Sequence, residues 1–218
     1  MAKKSRHVNI QDALQLNGDP EKIIEYYKNW SHSYDQDVTE NYYGIDYICN
    51  LLDKHLKAQD DITNSDTRRI VDVGCGTGLL GEPLRQLGYN QLDGIDLSPE
   101  MIARANQTGC YSAFYGGIDI NLPVKPQLQS KYDAAICLGT FTPGHVVPQA
   151  LNQLVSMTRK NGLVVLSTRI PYYDSTEYQR VNDELIESGV VRLIDQHMNA
   201  PYRDDGDAHY WVYNVLTT

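Results

Sequence analysis

The chain has little of what most often gives a function away. Nineteen Lys and Arg face 28 Asp and Glu, a formal charge of −9, and that balance argues against a nucleic-acid-binding surface, which needs clustered cations. The only basic cluster, Lys3, Lys4 and Arg6, reads as part of a flexible tail over residues 1–9. No apolar run approaches the roughly 20 residues of a membrane helix, and Met1-Ala2-Lys3-Lys4 is not followed by a signal-peptide core. Cys49, Cys75, Cys110 and Cys137 show no C-x-x-C spacing, so neither a metal site nor dithiol chemistry is expected. Scattered at apolar positions, they fit reduced thiols in a cytoplasmic protein. Two Phe accompany 16 Tyr. A buried Tyr needs a partner for its hydroxyl, so this bias points to polar pockets or to half-buried aromatics.

What is present is a change of period. Asp19-Pro20-Glu21 combines an N-cap, a first-turn Pro and a first-turn acid, predicting a helix to about Asn29. Trp30–Asp37 reads as a polar, aromatic connector. A second helix is predicted over 43–57, with Ile45, Ile48, Leu51, Leu52 and Leu56 on one face. After a polar loop at 59–67, strands and helices alternate. Strands are predicted at 69–73, 91–96, 111–115, 132–138 and 162–169, with helices at 79–87, 99–107, 147–158 and 175–188. The strands around Ile136 and Val165 are apolar on both faces, as in a parallel sheet. Two last strands, 190–198 and 209–216, form a hairpin-like antiparallel pair. The expected organisation is one domain: the tail, a helical lid or prefix at 10–66, and a doubly wound α/β core at 67–218.

The functional argument rests on Asp72-Val73-Gly74-Cys75-Gly76-Thr77-Gly78-Leu79, where a buried strand turns through three glycines toward a helix. Gly76 to Gly81 spells G-x-G-x-x-G and Asp96 follows 20 residues after Gly76, so a dinucleotide reading and an NAD-dependent oxidoreductase must be weighed. Two details oppose it. Asp72 would lie close to a doubly charged pyrophosphate, and Gly74 widens the turn ahead of the fingerprint. Asp72 suits a ligand with a positive group, such as an amino acid's ammonium.

V-D-V-G-C-G-T-G followed by G-I-D-L-S-P-E-M resembles motif I and the second-strand acid of the class I S-adenosylmethionine (SAM) methyltransferases. Tyr27-Lys28-Asn29-Trp30 with Tyr34-Asp35-Gln36-Asp37-Val38, and Ser167-Thr168-Arg169, are similar to the group that includes the methyltransferase-like protein of the Williams–Beuren region. The resemblance implies a Rossmann-like, doubly wound sheet of seven strands, mostly parallel with an antiparallel last strand. It implies SAM as cofactor and S-adenosylhomocysteine (SAH) as product. Asp72 and the Gly74, Cys75, Gly76, Thr77, Gly78 turn would handle the methionine end, and Asp96 the ribose hydroxyls. Leu97 would lie on the adenine, whose amino group is left to Asp119 or the backbone of Ile118. Leu138, Gly139 and Thr140 would border the methionine chain and the sulfonium, and Tyr34 would cover the ligand.

Methyl transfer chiefly needs proximity and alignment, and a base only where the acceptor carries a proton. His145 is the best-placed base by sequence, and a surface-loop histidine is its alternative. Trp30, Phe141 and Arg169 are expected on the acceptor side, Arg169 recognising an acid or pairing with a carboxylate. The leading expectation is a methyltransferase for a small-molecule acceptor. A protein methyltransferase and a non-catalytic SAM- or SAH-binding module are the alternatives, and oligomeric state is not legible.

Overall fold

The computed structural model describes residues 10–13, 16–59 and 65–217; the expected tail and most of the 59–67 loop lie outside them. Short helix α1 (Ile10–Ala13) precedes α2 (Pro20–Trp30), which begins as expected: Asp19 accepts from the Glu21 and Lys22 amides at 3.1 and 3.3 Å, with Pro20 in the first turn. The expected connector holds a further helix, α3 (Tyr34–Val38), and α4 spans Gly44–Gln59.

The alternating part comprises β1 (Arg69–Val73), α5 (Gly81–Gln86), β2 (Gln91–Asp96), α6 (Pro99–Ala105), β3 (Ala113–Gly116), β4 (Tyr132–Phe141), α7 (Leu151–Met157), β5 (Thr158–Arg169), α8 (Ile170–Ser175), α9 (Tyr178–Glu187), β6 (Val191–Arg203) and β7 (Gly206–Val215). Seven strands form one sheet in the order β3-β2-β1-β4-β5-β7-β6. All pairs are parallel except those of β7, which runs antiparallel to both β5 and β6. The antiparallel pair sits at the sheet edge as expected, with β6 outermost and the last strand inserted inside it.

The strands' apolar character serves two cores. Val71, Val73, Ala135, Cys137, Val164, Leu166, Trp211 and Tyr213 face one layer, shared with Leu151, Leu154 and Tyr178. Ile70, Ala134, Ile136, Leu163, Val165, Tyr210 and Val212 face the other, covered by Ile48, Leu52, Leu56 and Leu84. Neighbours in sequence point to opposite sides, so each central strand must be apolar throughout. The helical prefix therefore divides. Helix α4 belongs to the sheet-covering layer, whereas 16–43 crosses the carboxyl edge of the sheet. The strand order reverses between β1 and β4, and that crevice at the carboxyl ends is where open α/β sheets take ligands.

The tyrosine bias is met largely by specific hydrogen bonds. Tyr89 donates to Asp53 (3.0 Å), Tyr132 to Asp93 (2.8 Å), Tyr172 to the Val146 carbonyl (3.0 Å) and Tyr213 to Asn182 (2.6 Å). Each of these rings is fully or almost fully buried. The hydroxyls pin loops and helices to the sheet while the rings fill the core.

Candidate active site

After β1 the Gly74 and Cys75 amides both donate to the Ile95 carbonyl, at 2.8 and 3.0 Å, binding the turn to the end of β2. The Gly76 amide donates to Asp96 Oδ2 and the Ser98 amide to Oδ1, both at 2.8 Å. Burial pushes the Asp96 carboxyl up from its ordinary range, and these backbone donors oppose the shift. Gly74 has φ +73°, and a Cβ there would overlap the Thr140 side chain across the crevice. Gly76, at φ +54°, has nothing within 4 Å of a would-be Cβ and leaves the main chain open to a ligand. Helix α5 begins only at Gly81, later than its expected start at 79.

Asp72 is 1% exposed and accepts from Tyr111 Oη at 2.7 Å. Burial pushes its carboxyl up to about 7, against that hydrogen bond. Two adjoining cavities share the turn. The larger, about 130 Å³, is lined by Tyr27, Tyr34, Tyr42, Asp96, Leu97 and Asp119 among others. The smaller, about 40 Å³, lies against Asp72, Cys75 and Thr77. Tyr34, Tyr42, Gly74, Gly76 and Leu138 border both.

The segment 16–43 roofs these cavities. Gly18 donates to the Gly144 carbonyl at 2.8 Å, and Thr77 Oγ1 donates to Asp35 at 2.5 Å. Inside the roof, Tyr27 Oη lies 2.7 Å from His145 Nε2, and His145 Nδ1 lies 3.0 Å from the Pro143 carbonyl. A carbonyl only accepts, so Nδ1 carries the proton, and Nε2 accepts from the Tyr27 hydroxyl. Burial pushes the His145 pKa down and keeps the ring neutral. This is a buried histidine, 8% exposed and on the cavity wall.

Most sequence-predicted residues converge here. Tyr34, Gly74, Gly76, Asp96, Leu97, Ile118, Asp119, Leu138, Gly139 and His145 line the larger cavity, and Asp72, Cys75 and Thr77 the smaller. Gly78 is buried behind the turn, where a Cβ would meet Tyr111 and Ala105. Phe141 does not face the cavity. A register irregularity in β4 between Cys137 and Phe141 turns it into the core, edge-on to Tyr172 and Tyr178. Trp30 stands behind the roof, stacked on Tyr27 and tied to Asp37 at 2.7 Å. Arg169 lies behind Tyr202, its guanidinium 4.6 Å from the ring centre. Thr140, expected at the end of the fourth strand beside the methionine chain, also lines the larger cavity. Sequence reasoning missed Tyr27, Tyr42 and Tyr202 as wall residues; the excess of tyrosine was their only signal.

A family model described as a methyltransferase domain matches residues 30–214, and the chain belongs to that family. It is 32% identical to human methyltransferase-like protein 27 over 146 residues, covering 67% of this chain and 57% of the relative. It is 35% identical to the ubiquinone biosynthesis O-methyltransferase of Bradyrhizobium diazoefficiens over 128 residues, 58% of this chain and 48% of that one. The chain thus spans about half the length of these relatives. Among solved structures, the SAM-bound magnesium protoporphyrin IX methyltransferase of Synechocystis PCC 6803 aligns with a TM-score of 0.58 and 20% identity, over 78% of this chain and 79% of that one. The fold is that of the SAM-dependent class I methyltransferases, as the motif I resemblance implies.

Asp72 makes stability depend on pH. Its carboxyl titrates at 3.8 in the unfolded reference and about 7 when buried, so between those values the folded chain holds more protons and loses stability as pH rises. Urea unfolding of wild type and Asp72→Asn at pH 5, 6, 7 and 8 is expected to show a decline toward pH 7 that the variant lacks. Parallel curves would assign the titration elsewhere.

Proposed function

We propose that this chain is a SAM-dependent methyltransferase that methylates a small molecule and releases SAH. The observation carrying the proposal is the convergence of one buried acid, Asp72, and one half-buried acid, Asp96, on one open glycine turn. Asp96 serves the larger cavity and Asp72 the smaller, at the switch between β1 and β4. An acid in each cavity suits a ligand with a ribose diol at one end and an ammonium at the other, and gives a pyrophosphate no role.

When bound, SAM supplies a sulfonium methyl for in-line displacement. The chain's residues then have separable tasks. Asp96, already fixed by two backbone amides, accepts the ribose hydroxyls, and Asp72 receives the ammonium. Leu97 and Ile118 flank the adenine. The adenine amino group is a donor and needs an acceptor; the Asp119 carboxylate, which accepts from the Asn121 amide at 2.9 Å, lines the same cavity and takes that role. Neutral His145, accepting from Tyr27, can draw a proton through the Tyr27 hydroxyl from an acceptor in the cavity. That bond favours a catalyst over a passive SAM-binding module.

Enclosure under the roof favours a small acceptor over a protein side chain. The four described cysteines are free and buried, in keeping with a cytoplasmic protein; no helix among the described residues is long and apolar enough to cross a membrane. The cavity falls below the roughly 300 Å³ at which small-molecule sites begin, so residues 16–43 act as a lid that opens for the ligand and closes over it.

Three measurements test this reading. Calorimetry is expected to show SAH binding and no NAD binding, with Asp96→Ala weakening SAH by about 10- to 100-fold, the loss of charge-assisted hydrogen bonds worth about 1.5–3 kcal/mol. NAD binding without SAH binding would sink the proposal. Labelled SAM incubated with cell extract is expected to pass label to the small-molecule fraction; label in protein would redirect the acceptor. Limited proteolysis at 16–43 is expected to slow when SAH is present, and equal cleavage would remove the lid.

A further inference from the structure

Tyr202 and Tyr42 stand side by side on the wall of the larger cavity, their hydroxyls 2.7 Å apart. Both press against the end of β4, where a Cβ at Gly139 would lie 2.9 Å from Tyr202 Oη and 3.1 Å from Tyr42 Oη. Behind this pair are two guanidiniums. Arg169, at the end of β5, lies 4.6 Å from the Tyr202 ring centre, and Arg203, at the end of β6, lies 5.6 Å from that of Tyr42. In a chain of net charge −9, two cations against one cavity wall are conspicuous. Their shared counter-ion is weak. Asp205 is half exposed and lies 3.4 Å from Arg169 Nη2 and 3.5 Å from Arg203 Nε, beyond the roughly 2.7–2.9 Å of a full charge-assisted bond. Neighbouring Asp204 is occupied by Asn41 and Tyr43. Among the described residues neither buried Nε has a hydrogen-bond partner.

Resting on the methyltransferase reading, we propose that Arg169 and Arg203 form an anion subsite behind the Tyr42–Tyr202 pair, and that the methyl acceptor carries a carboxylate which this subsite holds. Two guanidiniums with one distant carboxylate leave a net positive charge, and their planar donors match a carboxylate fork. The tyrosine hydroxyls extend the site into the cavity. Both arginine charges favour Tyr202 oxygen as the acceptor in the tyrosine pair, so Tyr42 donates to it. Charge is polarised across the cavity as a result: acids line it at the β1 and β2 ends, and cations stand behind its tyrosine wall at the β5 and β6 ends. The carboxylate is an anchor in this arrangement, and the atom that receives the methyl group lies elsewhere on the acceptor.

The donor's own methionine carboxylate is the competing occupant, and the test separates the two. The full chain is saturated with SAH and titrated with benzoate or its neutral isostere benzamide. Benzoate is expected to bind at least tenfold more tightly, with that preference lost in R169M/R203M and largely kept in R169K/R203K. SAH affinity is expected to stay within twofold in every variant. Asp205→Asn removes the competing counter-ion without touching either arginine, and is expected to tighten benzoate severalfold. Equal binding of the two probes, binding of neither, a preference surviving in R169M/R203M, or no gain in Asp205→Asn would overturn the subsite. So would a tenfold loss of SAH affinity with 5′-methylthioadenosine, which lacks the amino-acid end, unaffected; that result assigns the arginines to the donor. Failure to bind SAH at all would instead overturn the methyltransferase reading.

Discussion

The hydrogen bond from the Gly76 amide to Asp96 is the contact on which the site depends. It joins the turn after β1 to the end of β2, and with the Gly74 and Cys75 amides on the Ile95 carbonyl it leaves the turn little freedom. A carboxylate buried beside an apolar wall would tend to take up a proton. Two backbone donors offset that tendency and hold both oxygens in known directions. The same bonds that stabilise the loop also hold the acid in one orientation, which is the preorganisation the proposed ribose contact calls for. Thr140 completes the arrangement from the far side of the crevice, where Gly74 is the only residue type that fits.

Around that fixed centre the wall is built largely from tyrosine. Tyr27, Tyr34, Tyr42 and Tyr202 line the larger cavity, with the Tyr27 hydroxyl on His145 and those of Tyr42 and Tyr202 on each other. Phenylalanine would fill the same volume but could not bind His145 or close the Tyr42–Tyr202 contact. A tyrosine contact also suits a surface that opens, the role proposed for residues 16–43. On separation its hydroxyl exchanges one partner for water at modest net cost, whereas a fully apolar roof would expose only surface that water disfavours.

The donor side of the site was legible because its signal is local. Asp72, the three glycines and Asp96 lie within 25 residues, and a strand–turn–helix with those residues has few chemical uses. The sheet was legible for the same reason: period and turn residues mark each element, and errors fell at ends, as in the late start of α5 and the extra helix α3. Phe141 and Trp30 were misplaced because motif proximity was taken for orientation. One irregularity in β4 reverses the face Phe141 presents, and no local pattern announces it. Arg203, Tyr42 and Tyr202 could not be found from spacing at all. They meet only because β6 returns alongside β7 and the segment before α4 crosses the sheet edge.

That difference in legibility has a physical origin. The proposed donor contacts belong to one turn and the strand ends beside it, so their residues are contiguous and each is constrained by backbone geometry as well as chemistry. The opposite wall is assembled from the tip of a hairpin, the end of β5 and the roof, elements that share no hydrogen-bond ladder with the glycine turn itself. Side chains there can change without disturbing Gly76 or Asp96. In the proposed reading, charge at that wall selects the acceptor and the turn selects the donor. Acids stand at one end of the cavity, and two guanidiniums stand behind the tyrosines of the opposite wall. Under the proposal that polarity orients a molecule carrying both signs of charge, and orientation is the larger part of what methyl transfer demands.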